Sequence, residues 1–186
     1  MQTKLEKLIS QYRELGIDKQ IDYDKFYLYS LITHSTAIEG STITELENQI
    51  MFDQGISLKG KSMAELNMNL DLKNAYENAV KLANTHADIS IDLLKDFSAL
   101  VMKNTGQEYK TALGAFSSAR GELRLLNVTT GIGGKSYMNY SKVPAKLSEF
   151  CVWLNKEREN YTHKSTIQLY AVSYTHLRAH ETRRHL

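Results

Sequence analysis

Apolar residues recur at helical spacing along most of the chain. Leu5, Leu8, Ile9, Tyr12 and Leu15 form one stripe, and Gly16 is its expected stop. A second helix is predicted from about Asp24 to Glu39. Thr44 and Glu47 have the spacing of a capping box, in which each side chain bonds to the other's free backbone amide. That box opens a third helix, which should end near Gly55. Ser62 and Glu65 repeat the pattern and open a long helix through Leu66, Leu70, Tyr76, Val80 and Ala83. Asp88 or Ser90 caps a fifth helix that carries Leu94, Phe97 and Val101 and stops near Gly106.

The period then changes. Residues 123–128 and 135–140 favour β-structure and flank the glycine-rich run from Thr129 to Gly134, which predicts a hairpin. Helical spacing resumes after Ser141, with Pro144 acceptable in the first turn and Leu147, Phe150, Cys151 and Leu154 as the buried face. A last helix is predicted from near Ser165, with Ile167, Leu169, Tyr170 and Val172. The string from Val172 to Leu186 contains three of the six histidines and no core stripe. It resembles adaptor sequence translated at the end of a cloned fragment, and it is set apart from the fold as a non-native tail.

Composition narrows the class. The balance of 42% hydrophobic and 24% charged residues is that of an ordinary globular domain. A net charge of +2 gives little general attraction to nucleic acid, and no basic recognition helix precedes the tail. No apolar run approaches the roughly 20 residues that cross a bilayer, and the N-terminus lacks the apolar core of a signal peptide. The single Cys151 excludes an internal disulfide and fits a reducing compartment. Among Phe150, Val152, Trp153 and Leu154 it reads as a buried, inert thiol. The expectation is a cytoplasmic protein with no membrane or nucleic-acid partner.

Three patterns are weaker than they look. Gly133-Gly134-Lys135-Ser136 ends like a phosphate-binding loop, but Thr129 stands where its first glycine belongs, and Tyr137-Met138-Asn139-Tyr140 reads as strand. His176, His180 and Glu181 have neither the usual zinc spacing nor a further ligand, so no metal site is assigned. His34 reads as a packed or surface residue, and Tyr23, Tyr27 and Tyr29 as core and interface residues.

The strongest pattern is Ser35-Thr36-Ala37-Ile38-Glu39-Gly40, followed by Ser41-Thr42-Ile43-Thr44. Ser35 and Glu39 are four apart and share a helix face, and Gly40 suits a left-handed helix stop. Glu39 then sits at the negative end of the helix dipole, unfavourable by about 0.3–1 kcal/mol unless a cation, most simply an arginine, lies near.

This string resembles the inhibitory motif of the Fic-domain family, a Ser or Thr, three residues, then Glu and Gly or Asn. The Gly55 break, the helix after Ser62, and a hairpin followed by Val143-Pro144 and a helix with Trp153-Leu154-Asn155 also resemble the family, so that the likeness covers about Phe26 to Tyr170. The resemblance implies a mainly α fold, a Fic-type helical bundle with one β-hairpin flap. Residues 1–60 would hold the N-terminal helices with the inhibitory one, and 61–171 a partial Fic core with the flap at about 123–140.

It also implies a protein adenylyltransferase, which moves AMP from ATP with Mg²⁺ to a Ser, Thr or Tyr hydroxyl of a target protein. Ser35, Glu39 and Gly40 would be the inhibitory motif. Glu39 would occupy the last arginine of the catalytic loop, which otherwise holds the ATP γ-phosphate. Leu125, Val128, Ile132 and Tyr137 are the candidate target-docking residues of the flap, through strand addition; the alternative is a hairpin that only packs on the helices. The family's catalytic string, His-x-Phe-x-(Asp/Glu)-Gly-Asn-Gly-Arg, occurs nowhere in the 186 residues. No catalytic residue is therefore assigned, the groups that would bind ATP and Mg²⁺ are absent, and the chain is expected to be an inactive N-terminal fragment. A non-catalytic regulatory or interaction module is the alternative, and a homo-oligomer is compatible with either. A helical DNA-binding regulator is a third reading, disfavoured by the charge.

Overall fold

The helices begin where the capping residues put them. In the computed structural model, which describes residues 4–20, 22–130 and 134–159, α1 is Lys4–Glu14, α2 Tyr23–Ile38, α3 Glu45–Gln54, α4 Met63–Asn84, α5 Ile91–Val101 and α6 Val143–Glu159. The Thr44 hydroxyl accepts from Glu47 N at 3.3 Å, and the Glu47 carboxylate accepts from Thr44 N at 2.8 Å. Ser62 and Glu65 form the same reciprocal pair at 3.2 and 3.0 Å. Of the two candidates before α5, Ser90 is the cap, accepting from Leu93 N at 3.1 Å. Asp88 instead receives Arg158 Nη2 at 3.1 Å. Gly55 ends α3 in the left-handed region, at φ 67°.

The chain divides into two compact units, Met1–Asn69 and Leu70–Leu186. The division falls inside α4, later than the sequence-based boundary near residue 60. In the first unit, Ile43, Met51 and Leu66 form a buried cluster with Phe52 and Leu58 against it. The α1 stripe predicts the helix but not its burial. Leu8, Ile9 and Leu15 are exposed, while Tyr12 meets the edge of Tyr23 with ring centroids 6.1 Å apart.

In the second unit, Leu147, Phe150 and Cys151 form the core with Leu94, Leu123 and Leu154 packed on them. Burial pushes the Cys151 thiol above its ordinary pKa, which suits an unreactive thiol. Asp71, 1% exposed, accepts both the backbone and the side-chain amide of Asn104, at 2.8 and 2.6 Å. Asn155 on α6 bonds both backbone groups of Ile89, at 3.0 and 2.9 Å.

The β-structure differs from expectation. The regular hairpin is β1, Glu108–Thr111, paired antiparallel with β2, Gly114–Ser117. Its register runs from Glu108 opposite Ser117 to Thr111 opposite Gly114, and Tyr109 stacks on Phe116 with centroids 4.9 Å apart. In place of strands at 123–128 and 135–140 there is one isolated bridge, Thr129 with Ser136. Two backbone bonds flank it, Tyr137 N to Val128 O at 3.0 Å and Thr130 N to Lys135 O at 3.1 Å.

Side chains replace the ladder. Arg124 donates to the carbonyls of Leu126 and Met138, and the Asn127 carbonyl oxygen accepts from Tyr140 N at 3.1 Å. Residues 137–139 are not helical, against a phosphate-binding loop at Gly133-Gly134-Lys135-Ser136. Ile132, the helix expected from Ser165 and the tail from Val172 lie outside the described residues.

Candidate functional site

The last turn of α2 closes as a Schellman motif. Ser41 N donates to Thr36 O at 3.0 Å, and Gly40 N to Ala37 O at 3.1 Å. Gly40 has φ 97°, and an added Cβ would meet nothing within 4 Å. The requirement for glycine is therefore conformational rather than steric. Glu39 is the C-cap residue and is exposed, while Ser35, one turn earlier, is half-buried.

Under this turn lies a buried polar platform that sequence reasoning missed. Thr33, Thr36, Ser41, Asn48 and Asn69 are all buried, Asn48 and Asn69 completely. Asn69, on α4, is the hub. Its amide nitrogen donates to Ser41 Oγ at 3.1 Å and to Glu65 O at 2.9 Å. Its carbonyl oxygen accepts from Asn48 Nδ2, on α3, at 2.9 Å. The Thr36 hydroxyl, on α2, lies 3.0 Å from the same oxygen and 2.9 Å from Ile32 O, and shares its proton between them. Asn48 Nδ2 also donates to Thr33 Oγ1 at 2.8 Å. One side chain thus ties α2, α3 and the residue after Gly40 to α4. The available signal was an amide on an apolar stripe: Asn48 precedes Met51 by one turn, and Asn69 follows Leu66 by one.

A second layer grips the next residue. One Glu65 oxygen accepts Thr42 N and Oγ1 at 2.8 and 2.7 Å, and the other accepts Ser62 N and Oγ at 3.0 and 2.8 Å. Lys61 Nζ donates to Thr42 O at 2.7 Å and pairs with Glu47 at 3.2 Å. Ile43 is buried, and Thr44 caps α3. Every residue from Ser41 to Thr44 is held by a named contact, so the chain leaving Glu39 has a fixed course.

The bonds from Thr42 and Ser62 pull Glu65 down to a pKa of about 2. A carboxylate held below its ordinary value stabilises the fold most when ionised. Its contribution is complete above about pH 4.5 and is lost as pH falls toward about 2. Glu65→Gln should therefore lower Tm near neutral pH, and the gap from wild type should shrink on acidification through that window. A gap that stays constant with pH would contradict the assignment.

The other predicted residues are placed separately. Ser35, Glu39 and Gly40 belong to the first unit, and Leu125, Val128 and Tyr137 to the second. Val128 is buried, and Leu125 and Tyr137 are half-buried, so these side chains are not simply displayed to a partner. His34 is exposed. Among the described residues no group of three or more His, Cys, Asp or Glu could hold a metal ion, and no helix is long and apolar enough to cross a membrane. The chain matches no family model and none of the curated proteins compared with it.

Proposed function

We propose that the chain carries the self-inhibitory part of a Fic-type protein adenylyltransferase, with Glu39 as the inhibitory carboxylate. The observation that carries this reading is an exposed glutamate on a helix end that a buried network fixes from three helices. An inhibitor built into a chain must wait in position, because ordering backbone afresh costs about 1–2 kcal/mol per residue. The platform meets that cost in folding. The α2 C-terminus adds negative potential beside the carboxylate, and the planar guanidinium of an arginine is the cation best matched to it. An arginine held by Glu39 is not free to hold a phosphate.

The transferred AMP, ATP and Mg²⁺ belong to the resemblance. The described residues offer no acidic or histidine cluster that fits the metal, so no step of the transfer is placed on them. The target would be a protein with a Ser, Thr or Tyr hydroxyl, docked along the main chain of the 125–137 segment, where Val128 is buried and Leu125 and Tyr137 are half-buried.

A non-catalytic interaction module is the second reading. The large apolar residues left exposed in the first unit, Leu15, Phe26, Tyr27 and Leu31 among them, favour it. Sequencing the source DNA across the codons from Tyr170 onward separates the two. A frame that runs into the His-x-Phe-x-(Asp/Glu)-Gly-Asn-Gly-Arg loop supports the enzyme, and a frame that closes without it supports the module. The 186-residue chain itself should incorporate no label from ATP labelled at the α-phosphate. Autolabelling of the purified chain would contradict the assignment of its residues to inhibition alone.

A further inference from the structure

Arg124 does more than brace the 123–140 segment. Its side chain is buried, with 5% of the residue exposed. Among the described residues its polar contacts are two carbonyls: Nη1 to Leu126 O at 2.6 Å and Nη2 to Met138 O. No described carboxylate pairs with it; Glu122, which lines the same space, accepts from Arg120 Nε at 3.0 Å. A guanidinium has five N–H groups, and the two carbonyls leave the rest unused. Nε is buried with no acceptor among the described residues. A charged donor in that state is costly, and its demand is specific: an oxygen acceptor, best one with a negative charge.

Nε itself is closed to water, but Arg124 also borders space that can hold such a group, with one N–H on each of Nη1 and Nη2 left over to meet it. Arg124 lines a partly open cavity of about 230 Å³ with Ser98, Thr105, Gln107, Tyr109 and Ser118 among its walls, and a second of about 150 Å³ that shares Ser98 and Glu122. We infer that the larger cavity, between α5 and the β1–β2 hairpin, is a binding site for a small carboxylate, with Arg124 as its anchor. Size limits the ligand to a few heavy atoms beyond the carboxylate, since drug-sized molecules occupy roughly 300–1,000 Å³. Charge limits it as well. Glu122 stands in the same wall, so a single negative charge is tolerated better than the double charge of a phosphate. The hydroxyls of Ser98 and Thr105 and the amide of Gln107 suit a polar body over an apolar one. This site is independent of any reading of Glu39.

Arg124 also ties the ligand to the loop. The guanidinium that would hold the carboxylate already holds one carbonyl in each arm of the 123–140 segment. Occupancy should therefore slow amide exchange at Tyr137 and Thr130, whose N–H groups close the paired arms.

The test is titration of the full chain with acetate, at constant ionic strength against chloride, followed through the Arg124 Nε–H resonance. The proposal expects a saturable shift of that resonance, slower exchange at Tyr137 and Thr130, and a weaker response to inorganic phosphate at equal concentration. Arg124→Met could lose the loop, so Ser98→Met is the deciding variant. It fills the cavity from α5 and leaves the two carbonyl bonds of Arg124 in place. Loss of the acetate response in Ser98→Met, with the Tyr137 amide still protected, supports the site. No saturable shift in the wild type, or an unchanged response in Ser98→Met, overturns it. Phosphate binding as tight as acetate overturns the preference for a single charge.

Discussion

Asn69→Ala should cost the fold about 2–4 kcal/mol, the loss expected when a buried hydrogen-bonded side chain is removed and its partners stay behind. The substitution deletes the bonds to Ser41, Asn48 and the Glu65 carbonyl and withdraws one acceptor from Thr36. Asn48, fully buried and already carrying an unpartnered Oδ1 among the described residues, loses the acceptor for one of its amide protons. Thr36 keeps Ile32 O and suffers least. Asn69→Asp separates shape from donation. It keeps the size and the acceptor but removes the protons given to Ser41 and Glu65 and buries a charge, so it should be no milder than alanine. Urea denaturation reads the loss as a lower midpoint at unchanged slope. Amide exchange at Ser41 and Gly40 localises it to the turn after Glu39. A loss below about 0.5 kcal/mol, the range of ordinary surface substitutions, would mean that the platform does not hold the turn.

What the sequence made legible follows the physics of local signals. Helix starts are decided within four residues by one hydroxyl and one carboxylate, and Thr44 with Glu47 and Ser62 with Glu65 were readable for that reason. Gly40 was readable as a helix stop because a positive φ favours one residue type.

The β1–β2 hairpin was not readable. Its strands are four residues each and its Ala112-Leu113 loop lacks a turn dipeptide. Thr111 closes the turn instead, its hydroxyl accepting from Leu113 N at 3.1 Å and donating to Gly114 O at 2.8 Å. The 123–140 segment misled in the opposite sense. Its β-favouring residues are present, but Arg124 and Asn127 take the carbonyls and amide that a ladder would use.

The platform was hidden for another reason. A polar residue on an apolar stripe looks like a break in the pattern until its partners are known, and the partners of Asn69 come from segments 21, 28 and 33 residues away. The sequence therefore singles out Ser35, Glu39 and Gly40 as candidates, but not the buried residues that hold the turn around them.

The second large effect concerns Glu39. If its carboxylate holds an arginine that ATP needs, removing it should free that arginine. Glu39 is exposed and contributes its backbone to the cap, and the Schellman bonds involve Thr36, Ala37, Gly40 and Ser41. Hydrogen bonds to charged groups contribute about 1.5–3 kcal/mol, which corresponds to roughly a ten- to hundredfold change in rate. Glu39→Gln, which keeps the length but not the charge, should fall between wild type and glycine.

The decisive measurement, where the source frame proves to encode a His-x-Phe-x-(Asp/Glu)-Gly-Asn-Gly-Arg loop, is the rate of label transfer from ATP labelled at the α-phosphate by that protein with Glu39 or with Glu39→Gly. A rise of about tenfold or more in the glycine variant, with both proteins folded, is the predicted result. Equal rates in the two proteins, both folded, would contradict the assignment of Glu39 as the inhibitory residue.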